Sequence, residues 1–302
     1  MFERLPTLLV HGGIDMDAGA DTFEALARAG EAGLRVLQEG GPVAAAVAAV
    51  AVLEGDARFN AGLGSVLNAD GAVECDAGVV DGASGRFAGV GALTATLHPV
   101  CVAASLLREQ RQVLVVGAGA TAYSRALGHD AVDLRTDEQV AVWHAYQRSR
   151  DARSPFTGRV PSETVGAIAV AADGTVAAAS STGGLLHKRP GRVGDSAILG
   201  AGLFADRYGA AVCSGVGEAA VELMLARWTV ERRRILHDVS EAVQEAVLRA
   251  WRERRAPTAV LAYDVEADEY SAAHAGVDFP ALRCTGRGQD RVVAHALTEV
   301  LS

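Results

Sequence analysis

QRSRDARSPFTGRVPSE, residues 147–163, runs straight into TVGAIAVAADGTVAAASSTGG, residues 164–184. The first stretch is polar and carries two prolines, the marks of an exposed linker. The second is its opposite. Val165–Val170 is an apolar run of strand length, Asp173-Gly174 is a turn signal, and Val176–Ala179 is a second apolar run. Strands therefore begin again directly after the linker. Thr164 is the first of these residues, a hydroxyl placed where a polar linker enters a buried strand.

On the N-terminal side, Leu5–Val10 reads as a buried first strand stopped by His11-Gly12-Gly13. From Asp21 to Glu39 the apolar residues Phe23, Leu26, Ala27, Leu34 and Leu37 recur at helical spacing. Gly40-Gly41-Pro42 ends that helix, and Pro42 can open the next, Val43–Leu53. The second helix is apolar almost all round, so it should lie between layers. Between Asp56 and Gly91 glycine-rich strands and turns take over, with hairpin-type signals at Asn68–Gly71 and Val80-Asp81-Gly82. A helix at Pro99–Glu109, an apolar strand Gln112–Val116 and a helix near Asp137–Tyr146 complete the first half. Past the hairpin, helices are expected at Gly217–Thr229 and Val239–Trp251, and a last strand pair should bracket Asp264–Asp268. Hairpins outnumber strand–helix alternations, so a mixed or antiparallel sheet is expected over a doubly wound parallel one.

The chain has 302 residues, half of them apolar, enough for one large or two ordinary domains. Aromatics are scarce at 5% while Ala, Val and Gly abound, which predicts tightly spaced layers. A net charge of -9 argues against a nucleic-acid backbone as partner. Cys75, Cys101, Cys213 and Cys284 are far apart and form no CxxC pair, so neither a disulfide framework nor a zinc site is expected. The opening MFERLPTLLVHGG has acidic Glu3 and only a short apolar run, unlike a secretory signal or a membrane span. A cytoplasmic protein with no membrane partner is the expectation.

Three hydroxyl residues flanked by glycine or strand stand out as candidate chemistry: Thr164, Thr182 in SSTGG, and Ser214 in CSGVGE. A free N-terminal threonine carries its own general base, because its α-amine can take the hydroxyl proton. The plain alternative is a β-forming threonine that opens a strand. In RPGRVGDSAILGAGLFAD, residues 189–206, Arg192 and Asp195 lie three apart among glycines. An Arg fork suits a carboxylate and an Asp suits an ammonium, so together they could clamp an amino acid. A solvated surface pair is the alternative here. Ser214-Gly215-Val216-Gly217 precedes a helix, where backbone N–H groups can steady an oxyanion or simply cap the helix. Gly117-Ala118-Gly119 follows a strand but lacks a third glycine and an acidic ribose partner, which makes it a weak dinucleotide site.

Taken together, ETVGAIAV, SSTGGLLHKRPGRVGDSAILGAGLFAD and CSGVGE resemble the plant-type L-asparaginase/isoaspartyl peptidase family of N-terminal nucleophile hydrolases. LLVHGG and LEGDARFNAGLGSVLNADGAVECDAGVVDG resemble it too. The resemblance is dense over residues 5–97 and 164–226 and weak after about 255. It implies an α+β fold, a four-layer αββα sandwich, built as one domain over residues 1–302. It also implies self-cleavage between Glu163 and Thr164 into chains 1–163 and 164–302, which assemble as a homodimer of processed units. Thr164 would then be the nucleophile, assisted by Thr182. Ser214 and Gly215 would form the oxyanion hole, with the serine standing where that family has threonine, and Asn60 would contact the nucleophile's amine. Arg192, Asp195 and Gly217 would bind the substrate, Arg192 taking the α-carboxylate and Asp195 the α-amine. The chemistry needs no cofactor. The loop Leu53–Leu63 resembles one whose carbonyls hold a structural sodium ion, which points to Leu53, Glu54, Asp56, Phe59, Ala61 and Leu63. The implied substrates are L-asparagine and β-aspartyl dipeptides.

Two departures bear on these expectations. The residue before the nucleophile is usually Gly or Asp in that family, and Glu163 predicts slow cleavage or the help of a neighbouring base. Residues 254–282, RRAPTAVLAYDVEADEYSAAHAGVDFPAL, replace that family's glycine-rich strand and Phe-Asn-Thr segment, which bears on substrate preference. The alternatives are an uncleaved homologue that binds aspartate-like ligands and a glycosylasparaginase-like hydrolase. The lack of a signal peptide and the STGG wording disfavour the latter.

Overall fold

A computed structural model describes residues 4–151 and 164–297. Strand β1 (Thr7–His11) leads into α1 (Ala20–Glu54), and a loop with a 3-10 turn at Gly62–Gly64 carries the chain to the hairpin β2 (Cys75–Asp81) and β3 (Arg86–Leu93). Helix α2 (Pro99–Glu109), strand β4 (Leu114–Val116) and helices α3 (Gly117–Ala126) and α4 (Asp137–Asp151) follow. After the linker come β5 (Val165–Val170), β6 (Val176–Thr182), β7 (Leu203–Ala205) and β8 (Gly209–Gly215). Helices α5 (Gly217–Leu223), α6 (Leu225–Leu236) and α7 (Val239–Arg254) precede β9 (Thr258–Asp264), β10 (Glu269–His274), β11 (Ala281–Thr285), β12 (Gly288–Arg291) and β13 (His295–Ala296).

The fold is α+β. One sheet has eight strands in the order β12-β11-β1-β5-β6-β2-β3-β4, and the other has five in the order β13-β10-β9-β8-β7. Only the β3–β4 and β10–β13 neighbours are parallel among the pairs described. The hairpin bias of the sequence is thus realised as two largely antiparallel sheets. Three apolar clusters cover them. The first joins α1 and α2 to one face of the large sheet through Leu26, Val50, Leu53, Leu106, Val79 and Ala167. The second gathers the opposite face of that sheet (Leu9, Val80, Ile168) with Val212, Leu261 and Tyr263 of the small sheet. The third sets Val230, Val243 and Val247 of α6 and α7 against Cys213, Val260 and Ala273. Small residues permit the close spacing: a β-carbon on Gly30 of α1 would lie 2.2 Å from Cys284 Sγ of β11.

Several local expectations need revision. The Gly40–Pro42 break lies inside α1, where Gly41 adopts φ 73° and ψ 179°, so two helices meet at a kink. Helix α1 has the length and apolar character of a membrane span, yet it is broken at Gly41 and packs on the large sheet. The helix expected over Gly217–Thr229 is two helices, because Met224 adopts φ 48° between α5 and α6. Asn68–Gly71 is a turn inside a loop, with the Asn68 side chain accepting N–H bonds from Asp70 and Ala72, whereas the Val80–Gly82 signal does lie at a strand hairpin. The apolar stretch Gln112–Val116 is a three-residue edge strand with Leu114 and Val116 exposed. Helix α4 runs to Asp151, five residues into the stretch read as linker. The rest of that linker, with Glu163, lies outside the described residues. All four cysteines are free.

Candidate active site

Alternation along the strands decides where the candidate residues point. In β5 the side chains of Ile168 and Val170 belong to the cluster between the sheets, so Gly166 and Thr164 face the same way. In β6, Val176 and Ala178 face inward, and Ser180 and Thr182 follow them. In β8, Val212 is followed by Ser214, and in β1, Leu9 is followed by His11. At one end of the space between the sheets the apolar filling therefore gives way to hydroxyls, glycine and a histidine. Val165 pairs with Ser181 in the β5–β6 register, and one residue further on Thr164 and Thr182 stand opposite each other.

Thr164 is buried, and its backbone N–H donates to Ser214 Oγ at 3.3 Å. The same oxygen accepts from Ile14 N–H at 3.1 Å, so the hydroxyl joins the end of β8 to the loop after β1. Thr182 Oγ1 accepts from Gly184 N–H at 3.0 Å, which shapes the turn out of β6. Gly215 ends β8 at φ 119°, a conformation that favours glycine, and a β-carbon there would lie 2.5 Å from the Pro257 carbonyl oxygen. Thr164, Thr182, Gly184, Leu185, Arg192, Asp195, Gly215 and Gly217 line one small pocket, with room for about one water molecule as it stands.

Asn60 lies behind this pocket wall. Its amide oxygen accepts from Val66 N–H at 3.0 Å and its amide nitrogen donates to the Gly184 carbonyl at 2.8 Å. Its backbone carbonyl accepts from Gly183 N–H at 2.7 Å. Both hydrogen-bonding ends of the side chain thus hold the Gly183-Gly184 turn and the loop at Val66.

Arg192 and Asp195 flank Gly217. A β-carbon on Gly217 would lie 2.8 Å from Asp195 Oδ1 and 2.9 Å from Arg192 Nη2. Burial pushes the Asp195 carboxyl up to about 6, against the pull of the Arg192 charge in the opposite direction. Arg192 itself is paired with Glu218: Nε donates to Oε1 at 3.0 Å and Nη2 to Oε2 at 2.8 Å. The stretch from Lys188 to Gly194 is tied to β2 and the residues before it. Asp76 accepts from Gly194 N–H and Ala92 N–H, each at 2.8 Å, Glu74 accepts from Gly191 N–H, and Lys188 Nζ donates to the Glu74 carbonyl.

A family model described as asparaginase matches residues 4–268. The chain belongs to the asparaginase family. The isoaspartyl peptidase/L-asparaginase of Danio rerio is 36% identical over 233 residues, 74% of this chain and 74% of its own length. The plant-type L-asparaginase of Pyrobaculum calidifontis is 36% identical over 256 residues, 80% of this chain and 85% of its own. The human isoaspartyl peptidase/L-asparaginase is 34% identical over 235 residues, covering 74% and 76%. The asparaginase family match runs through β9 and stops before β10, β11, β12 and β13.

Within this asparaginase family chain the sequence reading overlooked Glu74, Asp76, Lys188 and Glu218. Asp76 left a trace, a carboxylate on the same side of β2 as inward-facing Val80. Glu218 left none, since its partner lies 26 residues upstream. The loop read as a sodium site curls its carbonyls inward. A β-carbon on Gly62 would lie 2.3 Å from the Glu54 oxygen and 2.6 Å from the Leu97 oxygen, and one on Gly64 would lie 2.1 Å from the Phe59 oxygen. The carbonyls of Asp56 and Phe59 each accept one backbone N–H bond, which leaves a second lone pair on each, while that of Leu53 accepts from both Gly55 and Asp56. Carbonyl oxygens are the ligand type that hard cations accept.

Proposed function

We propose that the protein hydrolyses the side-chain amide of L-asparagine and the β-linkage of isoaspartyl dipeptides, with Thr164 as nucleophile. One observation carries the reading: Thr164, Thr182, Arg192, Asp195, Gly215 and Gly217 share a single pocket, with Ser214 bonded to Thr164 at its edge. Cleavage before Thr164 converts its backbone nitrogen into a free amine that stays beside Ser214. In that cleavage the Thr164 hydroxyl attacks the Glu163 carbonyl, the resulting ester is hydrolysed, and chains 1–163 and 164–302 remain.

In turnover the amine takes the Thr164 hydroxyl proton while Oγ attacks the side-chain carbonyl carbon. The developing oxyanion is stabilised by the Ser214 hydroxyl and the Gly215 N–H. The leaving ammonia or amine recovers the proton, and water then cleaves the Thr164 ester to release aspartate. Arg192 takes the α-carboxylate, Asp195 in its ionised form takes the α-ammonium, and Thr182 assists the nucleophile. Asn60 serves this scheme by holding the Gly183-Gly184 turn, with a contact to the freed amine as its further role.

The same reading takes the two sheets and their helical covers as a four-layer αββα sandwich of the N-terminal nucleophile hydrolase type, one domain throughout. It includes a homodimer of processed units, a cytoplasmic setting and a structural sodium ion on the 53–63 loop, with no cofactor in the chemistry. Mass spectrometry of the purified protein after long incubation tests the first step, with a fragment beginning at Thr164 as the expected product. A chain that stays intact, binds aspartate and releases no ammonia from asparagine refutes it and favours the binding-protein reading. Comparison of asparagine, a β-aspartyl dipeptide and a glycosylated asparagine as substrates separates the hydrolase classes.

A further inference from the structure

We infer that Glu218 is a positioning residue that aims the Arg192 guanidinium at the substrate's α-carboxylate, an inference that rests on the reading above. A guanidinium presents five N–H donors in a fixed plane. Glu218 takes the edge formed by Nε and Nη2, at 3.0 and 2.8 Å, from the solvent side. The end formed by Nη1 and Nη2 is turned the other way. A β-carbon on Gly184 would lie 3.2 Å from Nη1, one on Gly194 would lie 2.8 Å from it, and one on Gly217 would lie 2.9 Å from Nη2. Gly184 and Gly217 both line the pocket that contains Thr164. Arg192 is thus held between one carboxylate outside and bare backbone inside, with three N–H bonds left for a second carboxylate.

The pair is also a partition. A surface groove lined by Lys188, Arg189, Pro190, Gly191 and Glu218 meets the Thr164 pocket at Leu185 and Arg192. Without Glu218 the long Arg192 side chain has a neighbouring groove to swing into, and its end would no longer be fixed toward the pocket. Glu218 is half-exposed, 54% against 17% for the Arg192 side chain, and ion pairs of this exposure contribute little to folding. Removing the carboxylate therefore leaves the protein folded and changes the aim of Arg192. A residue that acts only on the grip of a group bound equally in ground and transition states moves KM and leaves kcat alone.

The test compares wild type, Glu218→Ala and Glu218→Gln with L-asparagine as substrate. Glu218→Ala is expected to raise KM about tenfold or more with kcat within about twofold of wild type. Glu218→Gln keeps one acceptor oxygen and is expected to recover part of that loss. L-Aspartate affinity, read by calorimetry on the same proteins, should weaken by a similar factor. Fragment formation at Thr164 should proceed at the wild-type rate in both variants. An unchanged KM in Glu218→Ala overturns the inference, as does a fall in kcat alone. A lower KM overturns it too, making Glu218 a competitor of substrate for Arg192. If wild type releases no ammonia, the amidohydrolase reading fails by itself, and the aspartate affinities still decide whether Glu218 aims Arg192.

Discussion

The backbone nitrogen of Thr164 in the eight-stranded sheet donates to the hydroxyl of Ser214 in the five-stranded sheet, 3.3 Å across the gap between them. Ser214 accepts from Ile14 as well, so one side-chain oxygen gathers the nucleophile candidate, the loop after β1 and the end of β8. Replacing Ser214 by Ala removes the proposed oxyanion donor and should lower kcat about 10²- to 10³-fold. It also strands the buried Ile14 N–H, at a cost of about 1–3 kcal/mol in stability. Steady-state kinetics and urea titration read the two effects separately. A kcat within a few-fold of wild type would remove Ser214 from the oxyanion role.

Gly217→Ala places a methyl group between Asp195 Oδ1 and Arg192 Nη2, at 2.8 and 2.9 Å. Both side chains must withdraw, so KM for asparagine should rise about tenfold or more. Position 217 is the first of α5, and Ala is the better helix former there. Thermal stability should fall far less than binding does. Equal losses of stability and affinity would mean a folding defect instead.

The Asp195 carboxyl, raised to about 6 mainly by burial, sets an acid limit on binding. Below that pH the group is neutral and no longer pairs with the substrate ammonium. Accordingly, kcat/KM should fall as pH drops through about 6, because it reports the free enzyme. The acid limb of kcat should lie lower, since a bound ammonium favours the ionised carboxylate. A kcat/KM profile flat from pH 7 to 5 would contradict this assignment.

His11 is fully buried, neither ring nitrogen has a partner among the described residues, and burial lowers its pKa from 6.5 to about 3. Between those values the unfolded chain binds a proton that the folded chain refuses. Folding stability contributed by the neutral ring is therefore present above pH 6.5 and lost as pH falls toward 3, with a slope approaching about 1.4 kcal/mol per pH unit. His11→Leu removes that proton and should show a shallower fall in Tm between pH 7 and 4.5, as read by circular dichroism. Parallel Tm profiles would assign the acid sensitivity elsewhere.

What the sequence revealed follows the range of the interactions involved. Thr164, Thr182, Arg192, Asp195 and Ser214 were legible because each sits in a short string whose chemistry is local. The hairpin β5–β6 was legible for the same reason, with Asp173-Gly174 between two apolar runs. The Glu218–Arg192 pair and the support from Asp76 were not, since strand register and loop path bring them together from 26 and 118 residues away. Strand β11 escaped notice because its place beside β1 depends on a partner more than 270 residues distant, as in Thr7 opposite Thr285. The break at Met224 had no signal, because neither Gly nor Pro marks it.

The strand order of the large sheet has a consequence for the life of the molecule. Strands from before and after Thr164 alternate in blocks, β12-β11, then β1, then β5-β6, then β2-β3-β4, so three of its seams join the two halves. Cutting the bond ahead of Thr164 leaves two polypeptides laced through one another. They part only by unzipping those seams, and once parted they must find each other again by diffusion. On the proposed cleavage, the uncut precursor folds as a single chain and the processed pair inherits a shape that neither piece encodes alone. Folding would then be a single-use event, and the processed protein's endurance a matter of how slowly it comes apart.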